Sequence, residues 1–259
     1  MARPRILISN DDGIHAPGIQ ALAAAASAMG DVTVVAPDRE RSGAGHAISL
    51  YHPLRLTPHG EGRWAVDGTP TDAVYVGIHH VFRDGPPDLM LSGVNRGANL
   101  ANDVTYSGTV SAAFEACLFG IPAVAISLTG GKPWDFEHAA SVGVEVGRQV
   151  LAEGLPRGTL LNVNVPPGAP TDYRVTRLGR RSYGQAVDER RDPRGGRYYW
   201  IGGTEQDHDD IPGSDCNAVF DEGLISITPL HLDLSYDPLM APLKGWRLEG
   251  LSQDTGDDA

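Results

Sequence analysis

Two adjacent carboxylates, Asp11 and Asp12, follow directly on the apolar run Ile6-Leu7-Ile8 of a predicted strand. Open α/β sheets place their active sites at the carboxyl ends of such strands. In a regular strand the two side chains would point to opposite faces, but the turn that begins at Gly13 allows both to converge. Because neighbouring carboxylates repel, a hard divalent cation is their usual partner. The alternative is a turn with a helix cap, which one Asp would satisfy.

Two later loops carry small and polar residues after further predicted strands. In residues 41–46, the hydroxyl of Ser42 and the backbone N–H of Gly43 suit a cation or a phosphate, although glycine-rich loops are common. The next loop holds Asn95 and Asn99 among glycines. An Asn offers a neutral carbonyl to a metal and an amide donor to a phosphate. A left-handed turn would explain either Asn alone, but it explains the pair less well.

A third loop, residues 105–111, opens a predicted helix with Ser107 at the N-cap position. Exposed N–H groups in a first helical turn, together with the hydroxyls of Ser107 and Thr109, are typical of an anion site. Every helix needs a cap, so capping alone is the alternative. An anion site is favoured because a cation site is predicted at the same edge of the sheet.

Alternating apolar strands and amphipathic helices position these loops. The predicted strands are residues 5–10, 32–36, 88–92, 123–127 and 160–165, with a hairpin of 54–56 and 64–66, and the predicted helices are 17–29, 71–82, 108–119 and 136–153. Strands separated by helices require right-handed crossovers and a parallel sheet that is covered on both sides. The sequence therefore predicts an α/β fold, a Rossmann-like mostly parallel sheet with helices on both faces.

The C-terminal part of the chain has a different character. We expect an α/β metal- and nucleotide-binding core over residues 1–167 and a β-rich extension over 168–259 that rejoins the core through a strand at 223–230. The arginine-rich span 174–197 suggests nucleic-acid binding. Its acidic residues and the acidity of the whole chain favour a solvated or subunit-contacting arm instead.

Composition and missing motifs exclude several classes of protein. The 33 acidic and 21 basic residues give a formal charge of −12, which disfavours nucleic-acid polymers and anionic membranes as partners. Two cysteines are too few for a disulfide scaffold, and the N-terminal apolar stretch is shorter than a signal-peptide core, so a cytoplasmic location is expected. Zinc-binding His-Glu-x-x-His, serine-hydrolase Gly-x-Ser-x-Gly, Rossmann glycine and Walker patterns are absent from the sequence.

The motifs taken together, in their order, closely resemble those of the SurE family, the stationary-phase survival nucleotidases. The resemblance rests on Asn10-Asp11-Asp12-Gly13, Arg41-Ser42-Gly43-Ala44-Gly45, Asp67-Gly68-Thr69-Pro70-Thr71-Asp72, Ser92-Gly93-Val94-Asn95-Arg96-Gly97-Ala98-Asn99 and Tyr106-Ser107-Gly108-Thr109-Val110. Leu161-Asn162-Val163-Asn164-Val165-Pro166 and Ile225-Ser226-Ile227-Thr228-Pro229-Leu230 extend it over nearly the whole chain.

This resemblance implies a divalent-metal-dependent phosphatase that acts on nucleoside 5′- and 3′-monophosphates and, in some members, on short polyphosphate. It implies one cation per subunit, Mg²⁺ or Mn²⁺, in a site that Ca²⁺ can also occupy. The implied metal ligands are Asp11, Asp12, Ser42 and Asn95, and the implied phosphate contacts are Gly43, Asn99, Ser107, Gly108 and Thr109. Members form homodimers or homotetramers in which the C-terminal arm reaches a neighbour.

Two mechanisms remain open at this point. In-line attack by a water that the cation activates is the first choice, and direct attack by Asp11 or Asp12 through an aspartyl-phosphate is the second. A protein of another class, a metal-dependent nucleotide sensor without turnover, would use the same residues. Only the enzyme would release inorganic phosphate.

Overall fold

Strands and helices alternate through most of the chain. The computed structural model describes residues 2–183, 187–201 and 206–252. Its strands are β1 (Arg5–Ser9), β2 (Asp31–Pro37), β3 (Leu56–Pro58), β4 (Arg63–Val66), β5 (Leu89–Arg96), β6 (Ala123–Leu128), β7 (Thr159–Val165), β8 (Tyr173–Val175), β9 (Arg181–Tyr183), β10 (Val187–Arg191), β11 (Arg197–Ile201), β12 (Gln206–His208) and β13 (Ile225–His231). Its α-helices are α1 (Pro17–Ala26), α2 (Pro70–Val76), α3 (Gly108–Leu118), α4 (Phe136–Glu153) and α5 (Asp237–Lys244).

A nine-stranded sheet organises these elements in the order β3-β4-β2-β1-β5-β6-β7-β13-β8. Strand β3 runs antiparallel to β4, and β13 runs antiparallel to β7, whereas the other neighbours are parallel. Strand β1 lies between β2 and β5, so the loops that follow these three strands meet at one edge. The α/β class and the mostly parallel sheet with additional β hairpins are confirmed.

Two hydrophobic cores cover the two faces of the sheet. Side chains alternate along a strand, so Ile6 and Ile8 of β1 face the core beneath α1 and α4, while Leu7 faces the core beneath α2 and α3. Burial on both sides explains why this strand reads as a continuous apolar run rather than an alternating one. The carboxyl end of β1 is thereby held between rigid layers, which fixes the position of the residues that follow it.

Strand β5 is longer than predicted. The sequence places its end at Ser92 and Asn95 in the following loop, but pairing with β6 resumes at Asn95 opposite Ser127 after a bulge. Gly93 lies in the bulge with φ +135°, and a Cβ on it would stand 2.3 Å from the carbonyl oxygen of Ile126. Glycine therefore permits a bulge that lets the strand continue, which the periodicity alone did not indicate.

Several predicted boundaries are also wrong by a few residues. Helix α1 ends at Ala26, where the Ser27 hydroxyl donates to the carbonyl oxygen of Ala24 and satisfies a terminal acceptor. The predicted 71–82 helix is α2 followed by a π-helical turn at Gly77–Val81. Strand β3 begins at Leu56 because the N–H of the preceding residue donates to a side chain, Asp67 Oδ1, instead of to the ladder.

The extension leaves the sheet and returns to it. Strand β13 enters between β7 and β8, while β9 pairs with β12 and β10 with β11 in two small antiparallel sheets. No residue of β10, β11 or α5 is buried. Helix α5 was not predicted, because its two prolines and polar surroundings give a weak helical signal. Among the described residues, no helix has both the length and the apolar character needed to span a bilayer.

Candidate active site

The turn after β1 is closed by Asn10. Its buried side chain donates from Nδ2 to the carbonyl oxygen of Gly13 (3.0 Å) and accepts the N–H of the same residue on Oδ1 (3.2 Å). Gly13 has φ +95°, and a Cβ there would stand 2.9 Å from the carbonyl carbon of Arg39. The turn that presents Asp11 and Asp12 is thus fixed by a side chain and requires glycine.

Asp11 is the more buried carboxylate of the pair, with 5% of its surface exposed. Its Oδ1 accepts a hydrogen bond from the hydroxyl of Thr109. A Cβ added to Gly108 would stand 2.6 Å from the Cβ of Asp11. Burial raises the pKa of Asp11 to about 6, against the lowering effect of the Thr109 hydroxyl and with a further raise from the charge of Asp12. The first turn of α3 therefore lies directly on this carboxylate.

Asp12 connects the ends of β1 and β5. Its Oδ2 accepts the backbone N–H of Arg96 at 3.1 Å, next to Asn95. Partial burial raises the pKa of this carboxyl, the Arg96 N–H lowers it, and the charge of Glu40 raises it. Two neighbouring carboxylates with raised pKa values form an environment that a bound cation would stabilise.

Asn95 presents one neutral oxygen near this pair. Its Nδ2 donates to the carbonyl oxygen of Gly97 at 2.9 Å, which leaves Oδ1 as the ligand atom for a cation. The residue is half-buried at the end of β5, after the bulge at Gly93. The bulge sets which way this side chain points, so the Asn and the bulge belong to one structural feature.

The loop after β2 is bonded to the site at two places. The N–H of Arg41 donates to the carbonyl oxygen of Asp11 (2.7 Å), and the N–H of Gly45 donates to that of Tyr106 (3.1 Å). Ser42 and Gly43 lie exposed between these anchors, and the Ser42 hydroxyl donates to a carboxylate oxygen of Glu40 (2.9 Å). The Ser42 oxygen retains lone pairs that a cation could use.

Asn99 is held from the opposite side of the site. Its Nδ2 donates to Ser127 Oγ (2.8 Å), its N–H donates to Asn164 Oδ1 (2.9 Å), and its carbonyl oxygen accepts from Asn162 Nδ2 (2.8 Å) and Asn164 Nδ2 (3.0 Å). The two Asn residues of β7 thus fix its backbone. This explains why the Leu161–Pro166 segment contains polar residues inside an otherwise apolar strand.

Ser107 caps α3 by accepting the N–H of Val110 at 3.0 Å. Its neighbour Gly108 contacts Asp11, as does Thr109. The hydroxyl of Thr109, which the sequence assigns to phosphate, is engaged with Asp11; its contact with phosphate stays a prediction. The structure brings Asp11, Asp12, Asn95, Ser107, Gly108 and Thr109 together through these bonds.

Sequence reasoning missed two groups that hold the site loops. Buried Asp72, in the capping box of α2, accepts the N–H and hydroxyl of Ser49 (2.8 and 2.7 Å) and the N–H of Thr69 (2.8 Å). The Thr-x-x-Asp spacing is a signal that could have identified it. His46 Nε2 lies 2.8 Å from Oε2 of Glu115, a buried side chain of α3. No sequence signal linked this pair.

The donor set fits a hard cation. Among the residues that the structure describes, no three His, Cys, Asp or Glu side chains cluster in a way that would hold a metal. The available ligands are two carboxylates supplemented by neutral oxygens of Ser42 and Asn95. Such a set of oxygens suits Mg²⁺ or Mn²⁺ and is a poor match for zinc, which favours nitrogen and sulfur.

Known proteins are similar to this chain in sequence and in fold. A family model described as survival protein SurE matches residues 6–185. The 5′-nucleotidase SurE of Anaeromyxobacter dehalogenans (strain 2CP-C) is 55% identical over 251 residues, 96% of this chain and 98% of its own length. That of Myxococcus xanthus (strain DK1622) is 51% identical and covers 98% of each chain. The crystal structure of the SurE protein from Aquifex aeolicus matches with a TM-score of 0.82 and 41% identity, covering 93% of this chain and 98% of its own. The chain belongs to the SurE family.

Proposed function

We propose that the protein is a 5′-nucleotidase that hydrolyses nucleoside 5′- and 3′-monophosphates to nucleoside and phosphate, and that it accepts short polyphosphate. The observation that carries the proposal is the contact between a carboxylate pair and a helix N-terminus. Asp11 meets the first turn of α3 at Gly108 and Thr109, so a cation site adjoins an anion site. The name 5′-nucleotidase, borne by relatives more than 50% identical, supports the same activity.

Asp11, Asp12, Ser42 and Asn95 are the proposed ligands of one divalent cation per subunit. Mg²⁺ or Mn²⁺ would support turnover, and Ca²⁺ would occupy the same oxygens. When bound, the cation supplies Lewis-acid polarisation of a phosphoryl oxygen and lowers the pKa of a nearby water. The Thr109 hydroxyl donates to Asp11 and the Arg96 N–H donates to Asp12, and each carboxylate has further lone pairs that could bind the cation.

The phosphate is proposed to lie between the loop after β2 and the start of α3. Its contacts would be the backbone of Gly43, the side chain of Asn99, and Ser107, Gly108 and Thr109 at the helix N-terminus. Asn99 and the start of α3 are fixed before the substrate arrives by the bonds described above, and Gly43 lies between the two anchors of its loop. Fixed dipoles aimed at developing negative charge stabilise a phosphoryl-transfer transition state without reorganisation.

In-line attack by water is the proposed route. The runner-up is attack by a carboxylate oxygen of Asp11 or Asp12 on phosphorus, with nucleoside leaving and water later releasing the phosphate. Acid quenching of a single turnover with phosphorus-labelled nucleotide separates the two. Label that stays on the precipitated protein would establish the aspartyl-phosphate, whereas label found only in nucleotide and free phosphate supports water.

Phosphate release tests the activity itself. Release from nucleoside monophosphates should scale with protein and with Mn²⁺, and EDTA should abolish it. A nucleotide sensor on the same scaffold would bind nucleotide with Mn²⁺ but would release no phosphate. If the protein binds nucleoside monophosphate in the presence of Mn²⁺ but releases no phosphate from it, the protein is the sensor and the enzyme is rejected.

Assembly into a homodimer or homotetramer is proposed for the part of the chain beyond residue 167, with residues 1–167 forming the catalytic core. Strand β11 exposes Tyr199 and Trp200, and α5 exposes Leu239 and Met240. Helix α4 and strand β13 border an apolar groove of about 770 Å³, lined among others by Val142, Val146, Leu155, Leu161, Ile225 and Ile227. Large exposed apolar surfaces of this kind are typical of subunit contacts.

We propose a cytoplasmic location, where two free buried cysteines stay reduced.

A further inference from the structure

The extension is bonded to the segment that joins Asn99 to the N-cap of α3. The carboxylate of Asp215 accepts the N–H of Ala101 on Oδ2 at 2.8 Å. One residue further on, Asn102 Oδ1 accepts the N–H of Arg181 at 3.0 Å. The guanidinium of Arg181 also forms an ion pair with Asp103, and this arginine is itself buried. Three consecutive residues after Leu100 are therefore held by the extension.

Asp215 has no solvent-exposed surface, and its carboxylate accepts hydrogen bonds from three backbone N–H groups. Besides the Ala101 N–H, its Oδ1 accepts the N–H of Gly179 (2.7 Å) and that of Cys216 (2.8 Å). A carboxylate satisfies three such donors at once, because it offers acceptor sites on both oxygens and no competing N–H. This side chain therefore joins two stretches of the extension to one stretch of the core.

Ala101 has a backbone conformation that needs such support. Its φ is +52°, in the left-handed region that residues with a Cβ rarely adopt. A conformation of this kind persists where the surroundings determine it. The bond from its N–H to Asp215 holds it together with packing against Cys216 and Val219 of the extension, and these contacts set the direction in which the chain leaves Asn99 toward Ser107.

We propose that Asp215 is a positioning residue for phosphate binding. It fixes Ala101, and through that residue it keeps Asn99 in the placement that a phosphate would need. The inference rests on the proposed phosphate contact of Asn99, and it adds a function for the extension that is separate from assembly. Asp215 itself touches neither substrate nor cation.

The structure makes this role separable from general stability. The proposed cation ligands Asp11 and Asp12 lie on the turn after β1, which Asn10 closes, and Asn95 lies at the end of β5, next to the Arg96 N–H that bonds to Asp12. No described bond of Asp215 reaches them. A change at Asp215 should therefore weaken phosphate binding and leave cation binding intact, whereas a loosened fold would weaken both.

The test is Asp215→Asn, which keeps the size but turns an N–H₂ group toward at least one backbone N–H. With saturating Mn²⁺, we expect the KM for nucleoside monophosphate and the Kd for inorganic phosphate each to rise about tenfold, as for the loss of a charged hydrogen bond. The Kd for Mn²⁺ alone, measured by calorimetry, should stay within about twofold, and the mass by light scattering should not change.

Asp209→Asn is the matched control. It makes the same chemical change in the same extension, but among the described residues the Asp209 carboxylate pairs with Arg180 at the surface (3.4 Å). Its KM and phosphate affinity should equal those of the wild type. If Asp215→Asn does not fold, the milder Asn102→Ala takes its place, because it loosens the same segment: the described bond of its exposed side chain is to the Arg181 N–H of the extension. It should raise the KM about two- to threefold with an unchanged Mn²⁺ affinity.

Asn99→Ala, run in the same assays, separates the two levels of the proposal. If it raises the KM while Asp215→Asn and Asn102→Ala leave the KM and the phosphate Kd at wild-type values, positioning by Asp215 is overturned and the phosphate site stands. If Asn99→Ala itself has wild-type KM and phosphate affinity, both proposals are overturned. A parallel fall in Mn²⁺ affinity in the folded Asp215 variant would also overturn the positioning role, since it would indicate loss of the whole site.

Discussion

The central sheet and the extension are stabilised by different means. In β1, β5, β6 and β7 nearly every side chain is buried, on one face or the other of the sheet. In β10, β11 and α5 no residue is buried. Burial within one chain is enough to fix the sheet and the turns at its edge. The outer extension lacks that stabilisation, apart from the inner residues that contact the core, and the proposed contact with a second subunit would supply it.

Removing the charge of either carboxylate in the core should have the largest effect. Asp11→Asn or Asp12→Asn takes one anionic ligand from the cation, and we expect phosphate release to fall by at least about 10³-fold. The circular dichroism spectrum should match the wild type, because the turn is closed by Asn10 and not by either Asp. A variant with wild-type rate and metal affinity would remove that residue from the site.

Deleting residues 188–203 should change assembly while leaving the core folded. This segment contains most of the β10–β11 hairpin, so the deletion removes the exposed Tyr199 and Trp200 from the proposed contact with a neighbouring subunit. The mass in solution, measured by light scattering, should fall from that of a tetramer to that of a dimer, or from that of a dimer to that of a monomer. An unchanged mass would make the hairpin a substrate lid or plain surface, and would weaken the contrast between the two regions.

Gly108→Ala tests how closely the core packs at the site. The new Cβ would stand 2.6 Å from the Cβ of Asp11, so helix and turn must separate. We expect a loss of about 1–3 kcal/mol in the free energy of unfolding and a loss of turnover of about tenfold or more. Gly245→Ala in the extension is the control, since its Cβ would meet nothing nearer than 3.4 Å. Equal melting temperatures for the two variants would contradict the packing argument.

Asn95→Asp should leave cation binding intact and weaken substrate binding. It keeps an oxygen ligand of the same size but adds a third negative charge where a phosphate dianion must bind. A unit charge at about 4 Å is worth roughly 4 kcal/mol at an effective dielectric of about 20, before screening. We expect a KM about tenfold higher at saturating Mn²⁺, with equal or tighter Mn²⁺ affinity. If kcat/KM and metal affinity both stay unchanged, Asn95 is only a turn residue.

The smallest effect concerns the pH dependence of the protein without its cation. Burial raises the pKa of Asp11 from 3.8 to about 6. Between those values the folded protein retains a proton that the unfolded chain has released, so the free energy of unfolding decreases as pH rises and stays lower above pH 6. In EDTA at pH 7.5, Asp11→Asn should therefore be about 1–2 kcal/mol more stable than the wild type, and this gain should disappear near pH 4. Denaturant titrations at both pH values measure the difference, and an equal difference at both would exclude this carboxyl as its source.

The sequence predicted those parts of the site that depend on local pattern. An apolar run followed by Asp11 and Asp12 identifies a strand end, and Ser107 before a helical segment identifies a cap. The contacts that complete the site join distant positions. Thr109 and Asp11 are 98 residues apart, and Ala101 and Asp215 are 114 apart. No periodicity or spacing carries such information.

The extension was predicted less completely for a physical reason. Hydrophobic periodicity arises where a segment is buried against its own chain. No residue of α5 or of the β10–β11 hairpin is buried in this way. The strand predicted at residues 223–230 was found as β13 because it enters the main sheet and is buried there. The bulge in β5 escaped prediction since a single Gly93 within an apolar strand reads as an ordinary strand end.

The position of β13 has a consequence for synthesis on the ribosome. A nascent chain can complete β1 to β7 in order, but the open edge of β7 is covered only when residues 225–231 emerge, and β8 joins the sheet only through β13. Until then β7 presents unpaired backbone groups and the apolar faces of a forming sheet, which is a state prone to edge-to-edge association. Polysomes stalled before residue 225 should therefore carry nascent chains that need chaperone binding, and polysomes stalled well after residue 231 should not.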